Sequence, residues 1–196
     1  MGRLARRSTS EMSDAQRQLV EQMSEGRKNV SDGHIGGPFD AWGLNPDIGR
    51  RLFQAGGAIR FKPSIERRYI ELAILVTGEL WQAQFEWFAH EPMARDAGVP
   101  EAVIQAIKIG AEPTFDHPAD EICWRFCRAL HVNRSVDDDT YASAVDTFGE
   151  VGVADLINTC GFYTLVSMTL NAFEVDLPEG VAPPFPAEGA WPGAGR

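Results

Sequence analysis

Three ionisable residues stand where acid–base chemistry could be done. Glu86 and His90 are four residues apart, so on a helix they share one face and can touch. Glu71 lies in the apolar run Ile70 to Leu75, where a carboxylate needs a partner. An imidazole beside two carboxylates in an apolar pocket can act as a general acid or base near neutral pH, because the carboxylates favour its protonated form while burial opposes it. The plainer alternative is a surface pair of Glu86 and His90, with Glu71 bridging Arg67, Arg68 or another helix.

The other chemistry-bearing residues carry weaker signals. Cys123, Cys127 and His131 repeat every four residues, a stripe on one helix face, but two cysteines at that spacing are poorly placed for a disulfide, and a metal would need further ligands. Small buried apolar thiols are the simpler reading, and no metal is expected. His117 precedes Pro118 and reads as a loop residue at a helix start. His34 and Trp42 sit in a glycine-rich segment with unusually apolar side chains, and such a loop packs over something, so both are candidate pocket residues. No phosphate loop, dinucleotide fingerprint, nucleophile elbow, His-Glu-x-x-His or Cys-x-x-Cys occurs.

The elements that must position these residues are helical. Ser13 with Gln16 forms a capping box before Leu19, Val20 and Met23. A long irregular loop is expected from Val30 to Asn45. Asn45-Pro46 then starts a helix that Gly56-Gly57 should weaken. Ser64 starts a strong helix carrying Ile65, Tyr69, Leu72, Ala73 and Val76, which Gly78 should end, and Trp81 to Ala97 follows with Pro92 as a possible kink and Gly98 as a left-handed stop. Pro100 and Pro118 open two more helices, through about Ile109 and His131. Asp137 to Asp139 favour the start of one ending at Gly149, and the last runs from about Val153 to Phe173. Alternating β-branched segments are nearly absent, so the expected fold class is all-α with about seven or eight helices.

Composition bounds the function. In 196 residues, 18 Lys plus Arg against 28 Asp plus Glu give a net charge of −10, which argues against nucleic acid and anionic lipid as partners. Arg3, Arg6 and Arg7 are followed by no apolar core, so no secretory signal is read and a cytoplasmic location is expected. Leu156 to Phe173 is uncharged but contains Asn158, Thr159, Tyr163, Ser167 and Asn171, which suits a core or subunit interface better than lipid. Three cysteines without an export signal indicate a reducing compartment. From Pro178 onward, five Pro and four Gly in 19 residues make a tail that either straps over a neighbour or is disordered.

Glu66-Arg-Arg-Tyr-Ile-Glu-Leu-Ala-Ile-Leu-Val76, Gln84-Phe-Glu-Trp-Phe-Ala-His-Glu-Pro-Met-Ala-Arg-Asp-Ala-Gly98, Gly161-Phe-Tyr-Thr-Leu-Val166 and Asn171-Ala-Phe173 together resemble the carboxymuconolactone decarboxylase family, whose superfamily includes the alkyl hydroperoxidase D proteins. The resemblance covers about residues 38 to 178. It implies an all-helical bundle flanked by an N-terminal helix and Gly-rich loop (1–37) and a Pro/Gly-rich tail (179–196). In the peroxidase branch the pattern is Glu, eleven residues, Cys-x-x-Cys, three residues, His. Laid on this chain, the glutamate falls on Glu71, the thiols on Ala83 and Glu86, and the histidine on His90. Both thiols are missing, so thiol peroxidase chemistry is not expected there.

What remains is the Glu71–His90 pair. The resemblance therefore implies a cofactor-free lyase that decarboxylates a carboxylated lactone or related β-keto-type acid, as in aromatic catabolism. His90 would deliver the proton, Glu71 orient or recharge it, Glu86 act as a relay or pocket group, and an arginine such as Arg68 hold the leaving carboxylate. It also implies a homo-oligomer, commonly a trimer or hexamer. The rival readings are a redox-inactive binding or structural oligomer of the same fold, and a thiol oxidoreductase using Cys123 and Cys127.

Overall fold

The computed structural model describes residues 2–27 and 30–186. Among them are eight α-helices and no strand: α1 (Asp14–Ser24), α2 (Phe39–Trp42), α3 (Pro46–Phe61), α4 (Arg67–Leu80), α5 (Gln84–Asp96), α6 (Glu101–Lys108), α7 (Pro118–Val132) and α8 (Asp138–Ala172). The all-α expectation holds. Helix α8 is two arms, because Gly149 breaks it with φ 68°, a left-handed conformation that glycine adopts without a Cβ penalty.

Helix α4 is the axis of the molecule. Its ten residues from Ile70 to Glu79 are all buried, as expected for a helix apolar on every side, and it packs against α5, α6, α7 and α8. Leu72, Leu75 and Val76 face Trp87, Ile104, Phe126 and Leu156 in the main core. A second cluster joins Ile70 and Ile74 to Trp42, Tyr163, Val166 and Leu170, and a third seats Leu19, Val20 and Met23 of α1 beside Phe39 and Phe53. Acidic residues just beyond α8 hold the N-terminal segment: the Gly2 amide donates to Asp176 (2.7 Å) and Arg3 pairs with Glu174.

Several helix boundaries differ from expectation because tertiary packing overrides glycine's weak helix propensity. Helix α3 continues through Gly56-Gly57 to Phe61, since a Cβ on Gly56 would lie 2.8 Å from the Phe162 ring: the glycine is a close-approach point, not a stop. Helix α4 likewise passes Gly78 and ends at Leu80. It starts at Arg67 rather than Ser64, because the Ser64 hydroxyl and amide are both spent on Asp155 of α8. Trp81 caps α4, so α5 starts three residues later than its sequence suggests. The Val30–Asn45 loop contains the short α2. The capping box of Ser13 and Gln16 and the left-handed Gly98 form as expected, and Asp137 of the acidic triplet caps α8, accepting from the Thr140 amide.

The proline-rich segment folds back onto its own chain as far as Pro186. Phe185 is buried edge-on to Trp87 with centroids 5.2 Å apart, while the Gln84 amide accepts from its N–H (3.0 Å) and donates to its carbonyl (3.2 Å). The rest of that tail, 187–196, lies outside the described residues.

Candidate active site

Glu71 on α4 and Glu86 and His90 on α5 come together at the point where the two helices cross. All three are nearly closed off from solvent, at 2%, 3% and 5% exposure. His90 Nδ1–H donates to Glu71 Oε2 across 2.7 Å. The opposite ring nitrogen, Nε2, lies 3.1 Å from Glu86 Oε1, but off the hydrogen-bond direction, so that buried carboxyl oxygen has no hydrogen-bond partner among the described residues. The i,i+4 spacing of Glu86 and His90 therefore does place them on one face, and the face is internal rather than a surface pair.

The two carboxyls are driven apart. Burial pushes Glu71 up, but the hydrogen bond and charge of His90, with Arg60 and Arg67 behind, outweigh it and hold the group below its usual range. Burial of Glu86 is answered only by charges, not by hydrogen bonds, and its carboxyl rises. A Glu71 carboxyl held low only accepts, so Nδ1 of the ring carries a proton toward it, and Nε2 faces the raised carboxyl of Glu86. Opposed shifts around one imidazole are the pattern of an assigned acid and an assigned base.

Aromatic rings wall the site. Tyr163 of α8 stands edge-on to His90 at 5.1 Å, then Phe162 packs on Tyr163 at 5.6 Å and Trp42 on Phe162 at 6.0 Å. Burial pushes the Tyr163 phenol well above its usual range, so it is a neutral donor. Trp42 is buried in this wall with no partner for its indole N–H among the described residues. Gly37, at φ 58°, brings the glycine-rich loop against Phe85, where a Cβ would be 2.9 Å from the ring.

The other sequence candidates lie elsewhere. His34 is 2.5 Å from Asp40, whose carboxylate also accepts from the amides of Ile35 and Gly36, so His34 organises its own loop. Arg68 pairs with Asp120 of α7, and Arg67 rather than Arg68 reaches Glu71, at 3.3 Å. Cys123 donates to the Tyr69 carbonyl and His131 meets the Thr77 hydroxyl at 2.9 Å. Cys123, Cys127 and Cys160 are all buried free thiols; neighbouring Cys123 raises Cys127, and neighbouring Cys127 with burial raises Cys160. Buried, protonated thiols are poor nucleophiles.

Tyr163 and Arg60 are the site-facing residues without a sequence signal of their own. Tyr163 is one aromatic in an uncharged run, and Arg60 is an ordinary basic residue in the last turn of α3.

No protein-family model matches the sequence, and no curated protein matches it. Two solved structures do share its architecture. An alkylhydroperoxidase AhpD core, an uncharacterized peroxidase-related protein from Ralstonia eutropha JMP134, superposes with TM-score 0.73 at 15% identity, covering 91% of this chain and 93% of that one. An uncharacterized peroxidase-related protein from Silicibacter sp. TM1040 gives 0.70 at 12% identity, covering 89% and 91%. Matching helices over nine-tenths of both chains, with so few identical residues, identify this chain as having the alkylhydroperoxidase D core fold.

Proposed function

We propose that the protein is a cofactor-free lyase that removes carbon dioxide from a carboxylated lactone or related β-keto-type acid. The observation that carries this reading is the imidazole of His90 held between Glu71, whose carboxyl is lowered, and Glu86, whose carboxyl is raised and whose Oε1 has no hydrogen-bond partner among the described residues. When the C–C bond to the carboxylate breaks, its electron pair enters the conjugated system as a dienolate, which must take a proton. Glu86, whose Oε1 lies 3.1 Å from His90 Nε2, supplies it as the raised acid. Glu71 fixes the ring and stabilises the imidazolium form. Solvent then reprotonates Glu86 and resets the site. The Tyr163 phenol and the orphan Trp42 N–H are neutral donors for the developing enolate oxygen.

Two further facts favour this reading over thiol chemistry. Ala83 and Glu86 occupy the positions where the resemblance calls for thiols, and the protein's three cysteines are buried elsewhere, with Cys127 and Cys160 raised. The near closure of the site is the one observation that favours a redox-inactive binding or structural protein. Ultraviolet absorbance separates them: loss of signal from carboxymuconolactone or a panel of β-keto and vinylogous acids, abolished in His90→Ala, supports the lyase. No turnover of any acid by wild type leaves the binding role.

We also propose that the protein self-associates through the second arm of α8. Val151, Ala154, Asn158, Gly161, Leu165, Met168 and Ala172, spaced alternately three and four residues apart, are all exposed. That is the spacing of a helix–helix seam. In a chain of net charge −10, Leu156 to Phe173 has no charged residue, so a second copy meets this face without repulsion. This supports a homo-oligomer built on a helix pair, of which a hexamer would be a higher assembly of three such pairs.

A further inference from the structure

Ser167 is a buried hydroxyl of α8 that makes no bond within its own helix. Thr159 and Thr169 on the same arm donate to the carbonyls four residues back, at 2.7 and 2.9 Å, and buried Thr77 of α4 donates likewise to Ala73 at 2.9 Å. Ser167 is fully closed off from solvent, yet its Oγ has no hydrogen-bond partner among the described residues. A buried hydroxyl turned from its own backbone and left unpaired costs free energy, so its orientation needs a reason.

Contacts at both ends of the helices fix what stands level with it. Helix α4 and the second arm of α8 run in the same direction: the Ser64 hydroxyl, just before α4, donates to Asp155 at 2.7 Å, and the Asn171 amide donates to the Trp81 carbonyl, just after α4, at 2.8 Å. That offset of about ninety residues sets Ser167 beside Thr77 and Gly78. On α5 the fixed point is His90, whose ring meets Tyr163 at 5.1 Å. One turn from that contact toward Trp81 lie Ser167 on α8 and Glu86 on α5. Gly78, Glu86 and Ser167 thus share one level on three helices. Gly78 leaves room there: it is buried, but a Cβ on it would lie 3.8 Å from Glu86 Cγ and 3.9 Å from the Trp87 nitrogen, with no closer atom of a neighbouring helix. That is space for a methyl, or for a water, beside an acid whose Oε1 also lacks a partner among the described residues.

We propose that Ser167 is a positioning residue that, together with Glu86, holds one water in the space at Gly78, and that through this water Glu86 regains its proton. The role in turnover rests on the lyase reading, in which Glu86 is the acid; the seat itself does not. The Ser167 hydroxyl donates to the water, and the water donates to Glu86 Oε1, so both unpaired atoms are satisfied by one molecule. Bulk solvent is one turn away, since Asn171 is exposed. A solvent proton joins the water as the water gives one of its own to the Glu86 carboxylate. One proton moves inward, only O–H bonds are exchanged, and Ser167 keeps its own proton.

The test is infrared spectroscopy of the resting protein in wild type, Ser167→Ala, Ser167→Thr and Gly78→Ala, with Glu86→Gln identifying the carboxyl band of protonated Glu86. Melting temperature is the folding control, and both alanine variants should melt at or above wild type, because one removes an unpaired hydroxyl and the other replaces a helical glycine. Ser167→Ala and Gly78→Ala should each move the Glu86 band to that of a carbonyl without a hydrogen bond. Each should also slow hydrogen-for-deuterium exchange of that carboxyl roughly tenfold or more, the weight of one hydrogen bond. Ser167→Thr should keep the band and rate of wild type. The charged and titratable groups around Glu86 are His90 on its own helix, Glu71 on α4, Tyr163 on α8 and Arg60 on α3, and the Ser167 and Gly78 variants alter none of them. A band and exchange rate unchanged in Ser167→Ala overturn the seat and leave the lyase reading standing, and a band that moves without slower exchange overturns the proton route. A moved band and slowed exchange in a protein that decarboxylates no acid overturn the lyase reading and leave the seat.

Discussion

Glu71 and Glu86 approach opposite nitrogens of one imidazole, and their carboxyls move in opposite directions. Glu71 receives the Nδ1–H of His90 at 2.7 Å and is held low. Glu86, off the hydrogen-bond line at 3.1 Å from Nε2, is raised by burial. Both are nearly closed off from solvent, and the hydrogen bond that Glu71 takes from His90 is one that Glu86 Oε1 lacks. A working acid–base reaction would then need Glu71 ionised and Glu86 protonated. Its rate falls at low pH as Glu71 takes a proton, and at high pH as Glu86 loses one. In Glu86→Gln the high-pH limb assigned to Glu86 should vanish. Glu71→Gln should lower turnover by roughly 10²–10⁴-fold. A pH–rate profile of kcat/KM for each variant checks this, and an unchanged basic limb in Glu86→Gln would refute the acid assignment.

The same shift makes a statement about stability. A carboxyl whose folded pKa is raised favours folding only below its unfolded pKa, and that contribution is lost as pH rises through the folded pKa. Wild type therefore carries a growing cost of burying Glu86 as the medium is made neutral, and Glu86→Gln does not. Thermal melts should show the variant gaining on wild type between about pH 4 and neutrality. A melting difference independent of pH would mean that Glu86 is not raised.

Much of this arrangement is legible in the sequence, and the illegible part has physical causes. The Glu86–His90 spacing and the apolar run around Glu71 identify residues that the structure brings within 3.1 Å of one ring. Which arginine faces them is not legible: Arg67 and Arg68 are adjacent, and only the packing of α7, with Asp120 on it, decides that Arg68 turns away. Gly56 and Gly78 read as breakers because propensity is local, whereas the Phe162 ring against Gly56 and the total burial of α4 are tertiary. Tyr163 comes from a helix about seventy residues beyond His90, so no local pattern could connect them.

The cysteines offer a test of the rejected thiol chemistry. Cys123, Cys127 and Cys160 are buried, and Cys127 and Cys160 are raised, so an aromatic disulfide reagent should modify none of the three in the native protein within minutes. All three should react in denaturant. Rapid native labelling of Cys127 would reinstate a redox role.

Phe185 ties the tail to the helix that carries Glu86 and His90. Replacing a fully buried Phe by Ala costs about 3–5 kcal/mol in a fixed core. Here the segment can detach by itself, so the global melt should shift by less than that value implies. Phe185→Ala should instead speed amide exchange at Phe185, whose N–H is held by Gln84, while α4 remains protected. Exchange that rises equally throughout α4 would show that the strap is part of the cooperative core.

The seam on α8 predicts the state of association. Leu165 and Met168 are 37% and 50% exposed on a face without charge, and a glutamate at either would put two like charges opposite each other across a helix pair. Sedimentation at tens of micromolar should therefore find wild type associated and Leu165→Glu or Met168→Glu shifted toward monomer. Ile109, at 73% exposure in the C-terminal cap of α6, is the control: Ile109→Glu adds the same charge away from the seam and should leave association unchanged. If all three variants sediment like wild type, the exposed spacing on α8 is not an interface. Because neither Leu165 nor Met168 belongs to the Glu71–His90–Glu86 group, turnover measured on the monomerised variants also tells whether one chain suffices for the chemistry.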